Sequence, residues 1–93
     1  MIVTVKDRRV LEIADGRLPK QFPANLAFAA ERRIRALIVA KVLEDLRIPT
    51  GNRLEALRGD RAGQHSIRIN DQWQLCFRWV EDGAHDVELV DYQ

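Results

Sequence analysis

Cysteine and histidine are scarce in this chain of 93 residues, which has one cysteine, Cys76, and two histidines. A single thiol cannot form an internal disulfide, and no group of cysteines and histidines has the spacing of metal ligands. The chain is therefore expected to fold without a disulfide, a structural metal or another cofactor. A lone free cysteine also suits a reducing cytoplasm.

Long hydrophobic runs are absent as well. No segment approaches the roughly 18 apolar residues that cross a bilayer, and residues 1–9 contain no run of signal-peptide length. Membrane insertion and secretion are therefore not expected. The length suffices for one modest hydrophobic core and is too short for two, so the sequence predicts a single domain over residues 1–93.

A strong overall charge is also missing, since the formal net charge is +1. The distribution is uneven, however, because residues 79–93 hold five acidic side chains and no basic one. The basic excess therefore lies in residues 1–78, and a polyanion would be expected to approach the middle of the chain, whereas a basic partner could use the acidic tail. The alternative is that most of these charges form an ordinary solvated surface.

The first half of the chain predicts one short strand and two helices. β-Branched residues at positions 1–5 favour a strand, and residues 8–15 favour a helical turn or two. Asn25 is a plausible N-cap for a second helix that runs to about Leu46. Five apolar residues recur there at helical spacing: Ala30, Ile34, Leu37, Leu43 and Leu46. Pro49 requires that helix to have ended.

The second half predicts an antiparallel meander. A brief strand is expected over residues 53–57, followed by alternating segments at 64–70 and 73–79 and a last strand at 86–92. The order of strand, helices and meander predicts a compact α+β fold with the helices packed on one sheet face.

Alternation along these strands predicts two different sheet faces. The residues expected to face the helices are Ile67, Ile69, Leu75, Phe77, Val87 and Leu89. The residues expected to face away are Arg68, Gln74, Arg78, Glu88 and Tyr92. With the neighbouring loop arginines, Arg53, Arg58 and Arg61, the outward face would attract RNA or DNA phosphates. His65 shares the inward parity, which favours a structural role, and the same reasoning makes Trp73 and Trp79 core residues. Cys76 has outward parity but is apolar, and it is expected to be inert packing.

The order of residues in this half carries a resemblance. The stretches concerned are Gly51–Leu54, Leu57–Gly63, His65–Asn70, Trp73, Phe77 and Val87–Tyr92. Across roughly residues 51–92 the chain resembles the HigB-type toxins of the RelE/ParE superfamily. The resemblance implies a RelE-like fold and a metal-independent endoribonuclease that cuts messenger RNA on the ribosome. It also implies a cognate helix-turn-helix antitoxin of the HigA type, with operator DNA bound only through the complex of the two.

Site roles follow from the same resemblance. Arg58 would stabilise the pentavalent phosphate, Arg68 would clamp phosphates, and Tyr92 would stack on a base or assist proton transfer. The residues expected to bind RNA or the ribosome are Arg53, Arg61, Gln74, Arg78 and Gln93. The alternative for the loop arginines is that they hold the loop through carboxylates such as Asp60 and Glu55.

Two residues depart from the family pattern. Family members commonly carry arginine at the position of Gln74, and they often end in histidine at the position of Gln93. Catalysis is therefore weakened, shifted to neighbours such as Arg78, or lost. Two further functions stay open on this basis: a non-catalytic toxin remnant acting as corepressor with its antitoxin, and a ParE-like gyrase poison.

Overall fold

Two helices and a four-stranded sheet follow one another along the chain in a computed structural model that describes residues 1–91. The helices are α1 (Arg8–Ala14) and α2 (Ala27–Val39), and the strands are β1 (Glu55–Ala56), β2 (Gln64–Arg68), β3 (Trp73–Val80) and β4 (Gly83–Asp91). Neighbouring strands pair antiparallel in the order β1-β2-β3-β4. The predicted α+β class is confirmed, whereas Tyr92 and Gln93 lie outside the described residues.

The predicted N-terminal strand is an extended segment beside β4. It pairs in parallel at two isolated positions, where Ile2 meets Ala84 and Val5 meets Val87. Backbone bonds support both, since Val3 N donates to Ala84 O at 2.7 Å and Lys6 N donates to Val87 O at 3.0 Å. The segment thereby covers much of the outer edge of β4.

Helix α1 agrees with its prediction. The Asp7 side chain accepts from the backbone N–H of Arg9 and caps the first turn, which satisfies one of the donors that a helix leaves free at its start. Val10 and Ile13 are buried on its inner face. Gly16 follows with φ of 80°, a conformation that glycine adopts without steric cost.

Helix α2 begins close to its predicted start but ends earlier than predicted, and its predicted N-cap is wrong. Asn25 lies inside a 3₁₀ turn, and the helix is preceded by Leu26 without a side-chain cap. At the other end Ala40 is extended, with ψ of 129°. The Asp45 carboxylate accepts from the backbone N–H of Lys41 and of Val42, so this side chain competes with the continuation of the helix. A separate 3₁₀ turn follows at Leu43–Arg47.

The connections between strands depend on short polar residues. The Asn70 side chain accepts from the backbone N–H of Gln72 and of Trp73, which closes the turn between β2 and β3. Glu81 and Asp82 both have positive φ in the two-residue turn before β4, as tight hairpins require. Strand β4 therefore begins at Gly83 rather than at Asp86. A bulge places Asp86 at φ of 53° within β4.

The hydrophobic core lies between the helices and the inward face of the sheet. All six residues predicted to face inward are buried: Ile67, Ile69, Leu75, Phe77, Val87 and Leu89. Trp73 is buried as predicted and meets Phe22 edge-on at a centroid distance of 5.0 Å. Trp79 is half-buried and packs against the same core. Neither tryptophan is an exposed platform for stacking bases.

Candidate nucleic-acid interface

The outward face of the sheet carries polar side chains arranged by the strand register. Arg68 on β2 is paired with Gln74 on β3. A second row crosses the sheet from Glu55 on β1 through Ser66 and Cys76 to Glu88 on β4. Paired residues lie on the same side of a sheet, so the outward parity predicted for Arg68, Gln74 and Glu88 agrees with the pairing.

A polar groove of about 220 Å³ opens on this face near the end of β2. The residues that line it are Arg53, Glu55, Ser66, Arg68, Asn70, Asp71 and Gln74. The pairing of β1 with β2 places Glu55 opposite Ser66. Arg53 follows the 3₁₀ turn Thr50–Asn52 in a left-handed conformation with φ of 47°. Asn52 anchors that turn, because it is buried and its Nδ2 donates to Leu46 O at 3.2 Å.

The charges within the groove are only partly neutralised. The Arg68 guanidinium is hydrogen-bonded to the exposed carboxylate of Asp71. Within residues 1–91, Arg53 and Glu55 take part in no ion pair. The Oε1 atom of Gln74 is buried and has no hydrogen-bond partner in the same part of the chain. The groove therefore presents two guanidinium groups and a side-chain amide beside the carboxylates of Glu55 and Asp71.

Arg61 lies away from the groove, over the middle of the sheet. Its Nη1 donates to Gln64 Oε1 at 3.0 Å and to Glu88 Oε2 at 3.1 Å. These acceptors belong to β2 and β4, so their side chains converge on one guanidinium nitrogen above β3. Cys76 on β3 is fully buried although it has outward parity. Burial raises the pKa of its thiol to about 11, which agrees with the prediction of inert packing.

The remaining predicted arginines occupy different places. Arg58 is exposed just before the 3₁₀ turn Gly59–Arg61 and forms no ion pair within the described chain. Arg78 is also exposed, and its Nε donates to Asp86 Oδ2 at 2.8 Å beside the bulge of β4. Its register partner is His85, toward the opposite end of the strands from Gln74.

The structure therefore brings three of the predicted residues together, namely Arg53, Arg68 and Gln74. Arg61 and Arg78 are bound to carboxylates elsewhere on the outward face. The predicted roles of Tyr92 and Gln93 concern residues outside the described chain. Within residues 1–91, neither Arg53 nor Arg58 is ion-paired with Asp60 or Glu55, and the carboxylate that binds Arg61 is Glu88. For Arg61 the alternative agrees with the structure in that a carboxylate binds its guanidinium, although this carboxylate is Glu88 rather than Asp60 or Glu55.

Sequence reasoning missed two carboxylates of the groove, Glu55 and Asp71. The sequence predicted a short strand that contains Glu55. Only the pairing of Glu55 with Ser66 shows that this side chain lies on the outward face. Asp71 lies in the predicted turn, three residues after Arg68, at a spacing that permits the observed contact. His65 stacks against Phe77 with an interplanar angle of 22° on the core side, as its parity predicted.

Two classes of feature are lacking in the part of the chain that the structure covers. Within positions 1–91, no three His, Cys, Asp or Glu side chains are grouped so as to hold a metal ion. Neither described helix has the length and apolar character needed to cross a membrane.

Comparison with known sequences identifies one protein family that matches most of the chain. Residues 9–93 match the model of the HigB-like toxin family, described as the RelE-like toxin of the type II toxin–antitoxin system HigB. The chain is 40% identical over 75 residues to Toxin HigB-1 of Vibrio cholerae, covering 81% of this chain and 79% of that protein. It is 28% identical over 74 residues to an uncharacterised protein of Haemophilus influenzae, covering 80% and 73% respectively.

Comparison with solved structures supports the fold. The crystal structure of a point mutant of YafQ from E. coli superimposes with a TM-score of 0.62 at 12% identity, covering 95% of this chain and 89% of that one. YafQ from E. coli strain BL21(DE3) gives a TM-score of 0.59 at 10% identity with the same coverage. At these identities the likeness concerns the fold alone.

Proposed function

Because this chain belongs to the HigB-like family of RelE-like type II toxins, we propose that it is a cytoplasmic endoribonuclease that cleaves messenger RNA on the ribosome. Its activity is controlled by a cognate antitoxin, for which we propose the helix-turn-helix HigA type. Operator DNA is bound through the complex of the two proteins. The reaction proceeds without a metal ion, by general acid–base and electrostatic catalysis from side chains.

The chemistry is an internal transfer at phosphorus. The ribose 2′-oxygen attacks the adjacent phosphorus as its proton passes to a base, the bond to the 5′-oxygen breaks, and an acid protonates that oxygen. The products are a 2′,3′-cyclic phosphate and a 5′-hydroxyl end. Cations near the non-bridging oxygens stabilise the pentavalent transition state.

Arg68 and Arg53 would supply the cations within the groove. A guanidinium can donate two parallel hydrogen bonds to a phosphate. Arg68 would exchange Asp71, whose side chain is 93% exposed, for the phosphate at little energetic cost, because exposed ion pairs contribute about 0–1 kcal/mol. Arg58 is exposed and would approach the phosphate from the neighbouring loop.

Glu55 is the carboxylate that best suits the role of base. It lines the groove together with Arg68, and within residues 1–91 it is not neutralised by an ion pair. The proposed acid or stacking residue is Tyr92. Gln74 would donate its amide to a phosphate oxygen, and Arg61, Arg78 and Gln93 would contact RNA or the ribosome.

The observation that carries this proposal is the polar groove on the solvent side of the sheet. It is lined by Arg53, Arg68 and Glu55, and Glu55 forms no ion pair within residues 1–91. A base and phosphate-binding cations must be within reach of one linkage for this reaction. The groove offers both on a face that the helices leave uncovered.

The decisive experiment incubates the purified chain with messenger RNA, with and without ribosomes and with and without EDTA, and maps the RNA ends. Cleavage that needs ribosomes and survives EDTA is expected. Arg68→Ala should reduce its rate by about 10²-fold or more. Arg35→Ala, which removes an exposed arginine of α2, is the matched control and should cleave normally.

Two other outcomes would contradict the proposal. Absence of cleavage together with stronger operator binding by the antitoxin would identify a corepressor. Absence of cleavage together with inhibition of gyrase supercoiling would identify a gyrase poison. Equal cleavage by Arg68→Ala and by the parent chain would remove Arg68 from the mechanism.

A further inference from the structure

The outward face of the sheet has a dry centre, which strand alternation does not predict. Ser66 and Cys76 point away from the helices, yet they are 2% and 0% exposed. Something on the solvent side must cover them. The loop Arg58–Gly63 between β1 and β2 contributes to this cover, because its Arg61 binds Gln64 and Glu88 on the same face of the sheet.

Arg61 acts as a cross-link between that loop and the sheet. Both hydrogen bonds come from Nη1, so the side chains of Gln64 on β2 and Glu88 on β4 converge on this guanidinium above β3. Glu88 itself is held in the register of β4 opposite Cys76. Its side chain is 17% exposed, which lowers the screening of the pair by water.

Glu88 also contacts a second basic side chain. Lys6, from the segment beside β4, places its Nζ 3.7 Å from Glu88 Oε2. Lys6 is largely exposed, whereas Arg61 is two-thirds buried, so the contact with Arg61 is the stronger of the two. The rigid carboxylate is therefore the fixed end of the cross-link and the loop is the end that it holds.

We propose that Glu88 is a positioning residue, which acts through Arg61 to hold the Arg58-bearing loop on the outward face of the sheet. This inference rests on the proposed function, since it assigns Glu88 a part in presenting Arg58 to the scissile phosphate. Glu88 touches neither RNA nor the reacting atoms. Removing its charge frees the loop and displaces Arg58 without disturbing the core on the opposite face.

Cys76 provides a readout that does not depend on activity. It is the single cysteine and lies under the cross-link, so the rate of its reaction with a thiol reagent reports opening of the loop. In the folded parent chain this reaction should be slow. Glu88→Gln, which keeps size and removes charge, should accelerate it about tenfold or more, measured without denaturant at a pH where the variant stays folded.

Two controls separate loop opening from general instability. Val10→Ala lowers stability from the opposite side of the sheet, and it should accelerate the thiol reaction much less than Glu88→Gln does at equal stability. Arg61→Gln should accelerate the reaction at least as much as Glu88→Gln, and the double variant should react no faster than Arg61→Gln alone, because the two substitutions share the Arg61–Glu88 contact. Additive acceleration, or equal acceleration by Val10→Ala, would overturn the cross-link.

Cleavage assays then test the positioning role. Glu88→Gln should lower kcat by about 10²-fold, the loss expected when a catalytic group is misplaced by roughly 1 Å, with little change in KM. A variant with an exposed thiol and normal kcat would overturn the positioning role while leaving the cross-link intact. If the parent chain cleaves no RNA, the proposed function and the positioning role fail together, while the thiol measurements still decide the cross-link.

Discussion

The two faces of the sheet differ in what covers their buried side chains. The inward face is covered by α1 and α2 and consists of aliphatic and aromatic residues such as Leu75 and Phe77. The outward face is polar, and above its centre Arg61 of the loop Arg58–Gly63 binds Glu88. The first face derives its stability from apolar area removed from water. The second contributes less stability and retains charged groups for binding.

The largest difference between the faces should appear in stability. Phe77→Ala removes a fully buried ring from the inward face and should lower the free energy of unfolding by about 3–5 kcal/mol. Arg78→Ala, one residue further along β3, removes an exposed ion pair and should cost at most about 1 kcal/mol. Urea unfolding followed by tryptophan fluorescence measures both. Similar losses at the two positions would contradict the assignment of faces.

For RNA cleavage the order should be reversed, so that the loss of an exposed arginine has a large effect on the rate and a small effect on stability. Arg58→Ala removes an exposed side chain that forms no ion pair within residues 1–91, so stability should stay within about 0.5 kcal/mol of the parent. Cleavage should fall about 10²-fold because a cation near the phosphate is lost. Growth arrest after induction is the corresponding cellular measurement. Undiminished arrest, with Arg35→Ala as the control, would exclude Arg58 from the site.

The stability of the fold should depend on pH through Asp7, which lies at the edge where the two faces of the sheet meet. Burial acts to raise the pKa of this carboxyl, but hydrogen bonds from the Arg9 side chain and from the backbone of Leu89 and Arg9 outweigh it, and the pKa lies below its usual value of 3.8. A group with a lowered folded pKa stabilises the fold above its unfolded pKa and loses that contribution as pH falls through its folded pKa.

Asp7→Ala should therefore destabilise the chain at pH 7 by about 2 kcal/mol, since it removes a helix cap and charge-assisted hydrogen bonds. The gap between the variant and the parent should narrow below pH 3.8. Unfolding curves collected from about pH 7 down to about pH 2 measure this convergence. A gap that stays constant with pH would show that the charge of Asp7 is not the stabilising factor.

The smallest expected effect concerns Gln74 in the groove. Gln74→Arg would add a guanidinium beside Arg68 and should raise cleavage by about fivefold, corresponding to roughly 1 kcal/mol of additional phosphate binding. Gln74→Met is the uncharged control and should not accelerate the reaction. Unchanged or slower cleavage by the arginine variant would show that the missing charge does not limit the rate.

The limits of sequence reasoning are clearest at α2 and at the loop Arg58–Gly63. Apolar spacing located the start of the core-facing helix to within about two residues, but it extended the helix through Leu43 and Leu46, which belong to a later 3₁₀ turn. Hydrophobic periodicity gives no information about the hydrogen bonds that the Asp45 carboxylate accepts from the backbone of Lys41 and Val42. Parity placed Arg68, Gln74 and Glu88 correctly on the outward face, but it gave no sign of Glu55 or of the contact between Glu88 and Arg61.

The sequence by itself determined the α+β class, the inward and outward sides of β2 and β3, and the resemblance to the toxin family, because alternation and residue order are local properties of the chain. Only the tertiary structure decided which charged groups meet. Arg61 and Glu88 are separated by 27 positions, and their contact depends on the path of a loop across the strands of the sheet. The energy of such a pair arises from distance and burial, which become defined when the sheet and the loop are assembled.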